Sequence, residues 1–247
     1  MRPYQLHLSR GNAVLKDVRG RTQKFGKIIS VLKDFCQHLS PSVCLDVGCS
    51  SGIMTSLLGE HFPLAIGMDI DQEAVPRGKG SSPASRVHFL IADSMILPFQ
   101  NDSVDVIVCN HVYEHVPDAN LMMEEICRVL KKEGCCYFSA GNKYVIMEGH
   151  YRLPFLSWLP DPLGSLYLKI TGKGNSYYER HLSLRGLKRL VNKFQIHDYT
   201  LSIIRDPEKF CATDLFNRKS FSYRWIRRIA PYFYPWIPTY IWVLTKK

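Results

Sequence analysis

The feature that most limits the fold of this chain is a short apolar run closed by a glycine turn. Val43-Cys44-Leu45-Asp46-Val47 leads into Gly48-Cys49-Ser50-Ser51-Gly52, and a helix-compatible stretch, residues 53–61, follows directly. Strand, tight turn and helix in that order open a βα unit. The same grammar recurs: residues 64–68 precede Asp69, residues 87–91 precede Asp93, and residues 104–109 precede Asn110. Short unbroken apolar runs suit strands buried on both faces, as in a parallel sheet. Helical spacing intervenes after Asp71 and over residues 118–132, where Leu121, Met122, Ile126, Val129 and Leu130 share a face and Glu133-Gly134 ends the helix. Residues 135–139 read as a fifth strand, 184–194 as a helix, and 196–204 and 239–245 as two late strands pairing at an edge. Before the first strand, Ile28, Ile29, Leu32, Phe35 and Leu39 mark a helix over residues 26–39, stopped by Ser40-Pro41.

Alternating βα units predict an α/β fold, a doubly wound and mostly parallel seven-stranded sheet with helices on both faces. At 247 residues, 46% apolar and 22% charged, the chain has the length and composition of one large domain. It divides into a helical N-terminal cap (1–39), a core (40–141), an inserted lid (142–181), and a C-terminal helix with edge strands (182–247). The lid assignment follows from a Gly-, Pro- and aromatic-rich stretch without periodicity. The eight cysteines form no C-x-x-C pair and several sit in apolar runs, which predicts reduced thiols and no metal site. No apolar h-region opens the chain and no run approaches the ~18 residues of a membrane span, so a cytoplasmic protein is expected.

Ligands of doubly wound sheets bind beyond the carboxyl ends of the strands. The polar residues there are therefore candidates. The turn reads G-x-x-x-G, without G-x-G-x-x-G and without Gly-Lys-Ser/Thr, so the dinucleotide and P-loop fingerprints are missing. Asp46 beside the turn repels phosphate and suits an ammonium group. Asp69, one strand later, is placed to accept from ribose hydroxyls, and Asp93, one strand further, from an adenine amino group. Acids at three successive strand ends describe a site for a cationic adenosyl amino acid.

At these residues the chain resembles the class I S-adenosylmethionine-dependent methyltransferases, in the branch with the quinone-type and natural-product enzymes. The resemblance rests on Leu45-Asp46-Val47-Gly48, Gly67-Met68-Asp69-Ile70-Asp71, Ala92-Asp93-Ser94 with Leu97-Pro98-Phe99, Asp105-Val106-Ile107-Val108, and Val129-Leu130-Lys131-Lys132-Glu133-Gly134. It implies a Rossmann-like sheet and S-adenosylmethionine as cofactor, with S-adenosylhomocysteine as product. It further implies that Asp46, Gly48, Cys49 and Gly52 frame the methionine end, Asp69 meets the ribose, Ile70 covers adenine, and Asp93 with Ser94 lines its edge. Asn110 would lie near the methionine amine. Ser50-Ser51 departs mildly from the family's commoner small residues.

Donor and acceptor should meet after the fourth strand, in Asn110-His111-Val112-Tyr113-Glu114-His115-Val116. If the acceptor must lose a proton, His115 is the first candidate base, followed by His111 and Glu114. No Asn/Asp-Pro-Pro-Tyr/Phe follows this strand, which argues against methylation of planar amino groups. Acceptor choice belongs to inserted elements, with His150, Tyr151 and Arg152 as candidate contacts. Net charge is +10, split as +7 over residues 1–33, −4 over 34–214 and +7 over 215–247. Basic ends invite anionic partners, and Arg224, Arg227 and Arg228 beside nine aromatics over residues 221–242 fit the surface of an anionic membrane. The expected acceptor is a small molecule, a lipid-linked compound or a glycan. The rivals are an RNA methyltransferase, for which the sequence carries no RNA-binding module, and a non-catalytic cofactor-binding partner subunit.

Overall fold

Seven strands form one sheet in the order β3-β2-β1-β4-β5-β7-β6 in the computed structural model, which describes residues 4–6, 17–36, 42–75, 86–216 and 220–247. They are β1 (Val43–Val47), β2 (Leu64–Asp69), β3 (Val87–Ile91), β4 (Val104–Asn110), β5 (Leu130–Gly141), β6 (Phe194–Asp198) and β7 (Thr239–Lys246). β1 to β5 pair in parallel, whereas β7 runs antiparallel to both β5 and β6. Strand order reverses between β1 and β4, and a cleft opens where their carboxyl ends diverge. The helices are α1 (Val18–Phe35), α2 (Ile53–Leu58), α3 (Ala119–Val129), α4 (Asp161–Ile170), α5 (Leu184–Leu190), α6 (Thr200–Arg205) and α7 (Phe221–Ile229).

Side chains alternate along each central strand and build two cores. Leu45 and Val47, Ile107 and Cys109, and Phe138 and Ala140 face α3 and α5 with Met122, Ile126 and Leu187. Cys44, Val106, Val108 and Tyr137 face the other way, against Ile28, Val31 and Leu32 of α1 and Met54 and Leu58 of α2. Every cysteine is unpaired, and Cys44, Cys49, Cys109, Cys135 and Cys136 are buried, the behaviour of a small hydrophobe.

Several boundaries differ from the sequence reading. α1 starts at Val18, where Asp17 caps Gly20 N–H, and α2 stops at Leu58. α3 ends at Val129, not at Glu133-Gly134, because Leu130 turns extended and pairs with Val104 of β4. Residues 131–134 then bulge before Cys135 rejoins Val106. The reading of 196–204 as a strand is corrected at Asp198, whose carboxylate accepts from Thr200 N and starts α6. Asp71 leads into a turn over 72–74; the helix expected beyond it, like Leu39 and Ser40-Pro41, lies outside the described residues.

The segment 142–181 contains a helix that its composition hid. α4 packs with Leu153, Leu156, Leu168 and Tyr177 into a separate small core. Of the C-terminal aromatics, Tyr240 and Trp242 are buried in the sheet, as expected, while Trp225, Tyr232, Phe233 and Trp236 are exposed. Among the described residues, no helix is long and apolar enough to cross a membrane.

Candidate functional site

The β1–α2 turn holds Gly48 and Gly52 at φ of 73° and 71°, with Ser50 also left-handed. A side chain on Gly48 would come within 2.8 Å of Val112 Cγ2, so only glycine lets the turn approach the loop after β4. Gly48 N–H and Cys49 N–H both donate to Met68 O, clipping the turn to β2. Asp69, at the end of β2, accepts from Ser50 N at 2.8 Å and Asp71 N at 2.9 Å. Burial raises its pKa against those two hydrogen bonds. Each oxygen keeps a second lone pair for a ligand.

A cavity of about 430 Å³ lies over this turn. Its walls include Gly48, Asp69, Ile70, Asp93, Ser94, Asn110, His111, His115 and His150, nine of the residues selected from sequence. Asp93 accepts from Met95 N and from Tyr4 Oη at 2.7 Å, so residue 4 folds over the adenine-edge candidate. Asp46 is absent from the wall. It sits beneath the turn, 2% exposed, and accepts from Thr55 Oγ1 at 2.7 Å. Burial pushes its pKa up to about 6, opposed by the Thr55 hydrogen bond and the charge of Arg21. Cys49 and Gly52 likewise shape the turn without lining the cavity.

The sequence reading missed the wall formed by α1. Arg21 and Lys24 line the cavity beside Asp17 and Gly20. They supply positive charge opposite the acids, which suits the carboxylate of an amino acid. A short helical stripe carries no signal for this; only tertiary packing brings α1 over the turn.

At the end of β4, His111 adopts φ 57° and its Nδ1 donates to Glu114 Oε1 at 3.1 Å. Glu114 is buried, and although burial raises its pKa, the hydrogen bond from His111 and the surrounding imidazoles bring it down to about 2. His115 Nδ1 donates to Gln5 Oε1 at 3.0 Å, and its ring lies edge-on to His150 at 4.9 Å. Burial pushes the His115 pKa down to about 4. In the segment 142–181, Glu148 accepts from His150 Nδ1 at 2.7 Å and from the backbone N–H of His150 and Tyr151. Tyr151 stacks edge-on to Tyr177, and Arg152 is exposed on the turn; neither lines the cavity. Glu148, Glu179 and His181 join this cluster from the inserted stretch 142–181 expected to set acceptor choice, whereas Gln5 joins it with no warning in the sequence.

Residues 45–138 match the family model described as a methyltransferase domain. Over this core the chain is similar to the class I S-adenosylmethionine-dependent methyltransferases. Ubiquinone biosynthesis O-methyltransferase of Coxiella burnetii is 28% identical over 115 residues, 43% of this chain and 49% of that protein. The namesake of Idiomarina loihiensis is 25% identical over 175 residues, 67% of this chain and 66% of its own. The match to the Coxiella protein thus spans about half of that relative's length. Among solved structures, the plantazolicin methyltransferase BpumL with S-adenosylhomocysteine superposes with a TM-score of 0.58 at 18% identity, covering 92% of this chain and 84% of that one. A methyltransferase of Haloferax volcanii, in complex with the activator Trm112, gives 0.57 at 16% identity over 100% of this chain and 99% of its own. Both likenesses concern the fold. The residues of the cavity themselves fit S-adenosylmethionine. At Gly48 the turn leaves no room for a side chain, Ser50 Oγ is buried without a hydrogen-bond partner, and Asp69 and Asp93 line the cavity.

Proposed function

We propose that the protein methylates a hydroxyl group of a small, lipid-linked acceptor. The observation that carries this reading is one cavity walled by Asp69 and Asp93 together with His111, His115 and His150. When bound, S-adenosylmethionine supplies an electrophilic methyl group on a sulfonium. The chain contributes alignment and a water-poor site. Asp69 and Asp93 orient the adenosyl group, while Arg21, Lys24 and the buried Asp46 divide positive and negative charge around the methionine end. When an acceptor hydroxyl is methylated, His111 would take up its proton. Glu114 holds the Nδ1 side of that ring and offsets the charge the ring gains. His115 is the weaker base because burial favours its neutral form, and its Nδ1 meets the uncharged amide oxygen of Gln5 where His111 meets a carboxylate. His150 contacts the acceptor, and Tyr151 and Arg152 support the lid around it.

The hydroxyl acceptor is supported by the relatives named for ubiquinone biosynthesis O-methylation. A lipid tail is supported by the exposed band Trp225, Ile229, Tyr232, Phe233 and Trp236, carrying Arg227 and Arg228 in the last turn of α7. Trp236 stacks on Tyr144 and Trp158, which joins this band to the lid. Aromatic and arginine side chains together suit an anionic membrane surface.

Calorimetry with S-adenosylhomocysteine, with NADH as control, tests the cofactor. Labelled-methyl assays on prenylated dihydroxybenzenes, glycans and RNA then test the acceptor. Asp69→Ala should weaken S-adenosylhomocysteine about 10- to 100-fold. His111→Ala should lower turnover about 100- to 10,000-fold with cofactor affinity nearly unchanged. Methylation of RNA alone would replace the acceptor assignment, and equal binding of Asp69→Ala would remove that residue from the site.

A further inference from the structure

The lid brings more ionisable groups together than methyl transfer needs. Glu114, Glu148 and Glu179 are all buried, at 1%, 0% and 3% exposure. Their ion-pair partners among the described residues are histidines: His111 for Glu114, His150 and His181 for Glu148, and His115 for Glu179. No lysine or arginine side chain among the described residues pairs with any of the three. Buried carboxylates facing imidazoles need positive charge from somewhere. Glu179 keeps one carboxylate oxygen buried without a hydrogen bond.

From this geometry we infer a site for one divalent transition-metal ion, held by His115, His150 and Glu179 where the lid meets the end of β4. The ligand atoms of these three side chains lie within 4.8 Å of one another. His150 Nδ1 donates to Glu148 Oε1, so Nε2 carries the free lone pair in that ring. In His115 the nitrogen nearest Glu179 is Nδ1, 4.0 Å from Oε1, and it now meets Gln5 Oε1, which an ion at Nδ1 would displace. A carboxylate behind a ligating histidine is the usual support of such a ring. Ligands about 2.1 Å from a tetrahedral ion stand roughly 3.4 Å apart, so a modest turn of the partly exposed His150 ring closes the set. Two imidazoles and one carboxylate select zinc, iron or cobalt over magnesium or calcium, and they leave coordination positions open. His115 and His150 also line the cavity, so those positions face it. Resting on the methyltransferase reading, the ion would take the oxygen of a hydroxylated acceptor. This reverses the expectation from cysteine spacing that the chain holds no metal. That expectation weighs thiols alone, whereas the site needs histidines 35 residues apart in sequence to converge.

The test is titration of chelator-stripped, full-length protein with Co²⁺, followed by visible ligand-field absorption and competition with Zn²⁺. Calorimetry with S-adenosylhomocysteine runs on the same preparations. The expected result is one Co²⁺ per chain, displaced by Zn²⁺. Glu148→Gln, which removes only a support, should weaken Co²⁺ about 10- to 100-fold. Glu179→Gln and His150→Gln should weaken it more than that, with unchanged far-ultraviolet circular dichroism. Wild-type protein that takes up no Co²⁺ overturns the site whatever the variants do. Equal uptake by Glu179→Gln and His150→Gln overturns it as well, since the ion would then sit elsewhere. Co²⁺ bound at these residues without S-adenosylhomocysteine binding would sink the cofactor reading and leave the metal site standing.

Discussion

Asp46 carries a conflict between folding and ligand binding within a single side chain. Its carboxyl is buried, has one hydroxyl donor in Thr55, and is pushed up to about 6 from 3.8. A raised acid contributes stability that is fully present below pH 3.8 and is lost as pH rises through about 6. At pH 8 the ionised form therefore costs up to about 3 kcal/mol of folding free energy, and the same charge attracts a cationic ligand. Asp46→Asn keeps an acceptor for Thr55 and removes the charge. Chemical denaturation of the ligand-free variant should give about 1–3 kcal/mol more stability than wild type at pH 8, with the gain fading toward pH 4. S-adenosylmethionine affinity should fall. A gain that does not change with pH would mean the carboxyl does not titrate in this window. The positions of Asp69 and Asp93 on the cavity wall are legible in sequence because a strand end is a local pattern, while Asp46 lies beneath the turn. Those of Arg21, Tyr4 and Gln5 are not legible, since only packing of distant segments places them at the cavity.

Elements are readable where apolar periodicity runs unopposed and are misread where one polar contact cuts a pattern short. The apolar runs predict β1 to β4 nearly to the residue, as buried parallel strands leave continuous apolar stretches. The same logic carries β6 through Ile203 and Ile204, yet the chain turns at Asp198 and both isoleucines are buried from α6 instead. Thr200 is the reason this turn holds. Its hydroxyl accepts from Ile241 N at 3.0 Å and the residue is 4% exposed, so it satisfies a buried backbone donor of β7. Thr200→Val preserves shape and removes the acceptor, and should cost about 1–3 kcal/mol in chemical denaturation, with Thr200→Ser recovering most of it. Equal loss in both variants would assign the effect to packing. Gly134 makes a parallel case at the other misread junction. A methyl there would lie 2.7 Å from Asp105 O and 3.1 Å from Lys131 O, backbone atoms that cannot swing aside. Gly134→Ala should destabilise by about 1–3 kcal/mol, read from the same denaturation curves.

At the scale of the molecule, the cavity is walled by three stretches far apart in sequence. Tyr4, Gln5, Arg21 and Lys24 supply one wall, residues at the ends of β1 to β4 from Gly48 to Asp71 and from Ala92 to Pro117 the floor, and Gly149 with His150 the cover. A ligand seated there ties the N-terminal helix and the lid to the sheet, so its binding energy should appear as stability in all three. At a concentration 100 times its dissociation constant, a ligand that binds only the folded state adds about 2.7 kcal/mol. For a chain of this size that is a rise of roughly 5–10 °C in melting temperature. S-adenosylhomocysteine should give this shift in wild type and little of it in Asp69→Ala at the same concentration. Hydrogen exchange should then slow together at the turn 48–52, at the start of α1 around Arg21 and Lys24, and at the lid residues 148–152. Protection confined to the turn would leave α1 and the lid outside the binding site, and would strip Arg21, Lys24 and His150 of their ligand contacts. Protection at all three would mean that the acceptor meets a lid already drawn over the bound donor.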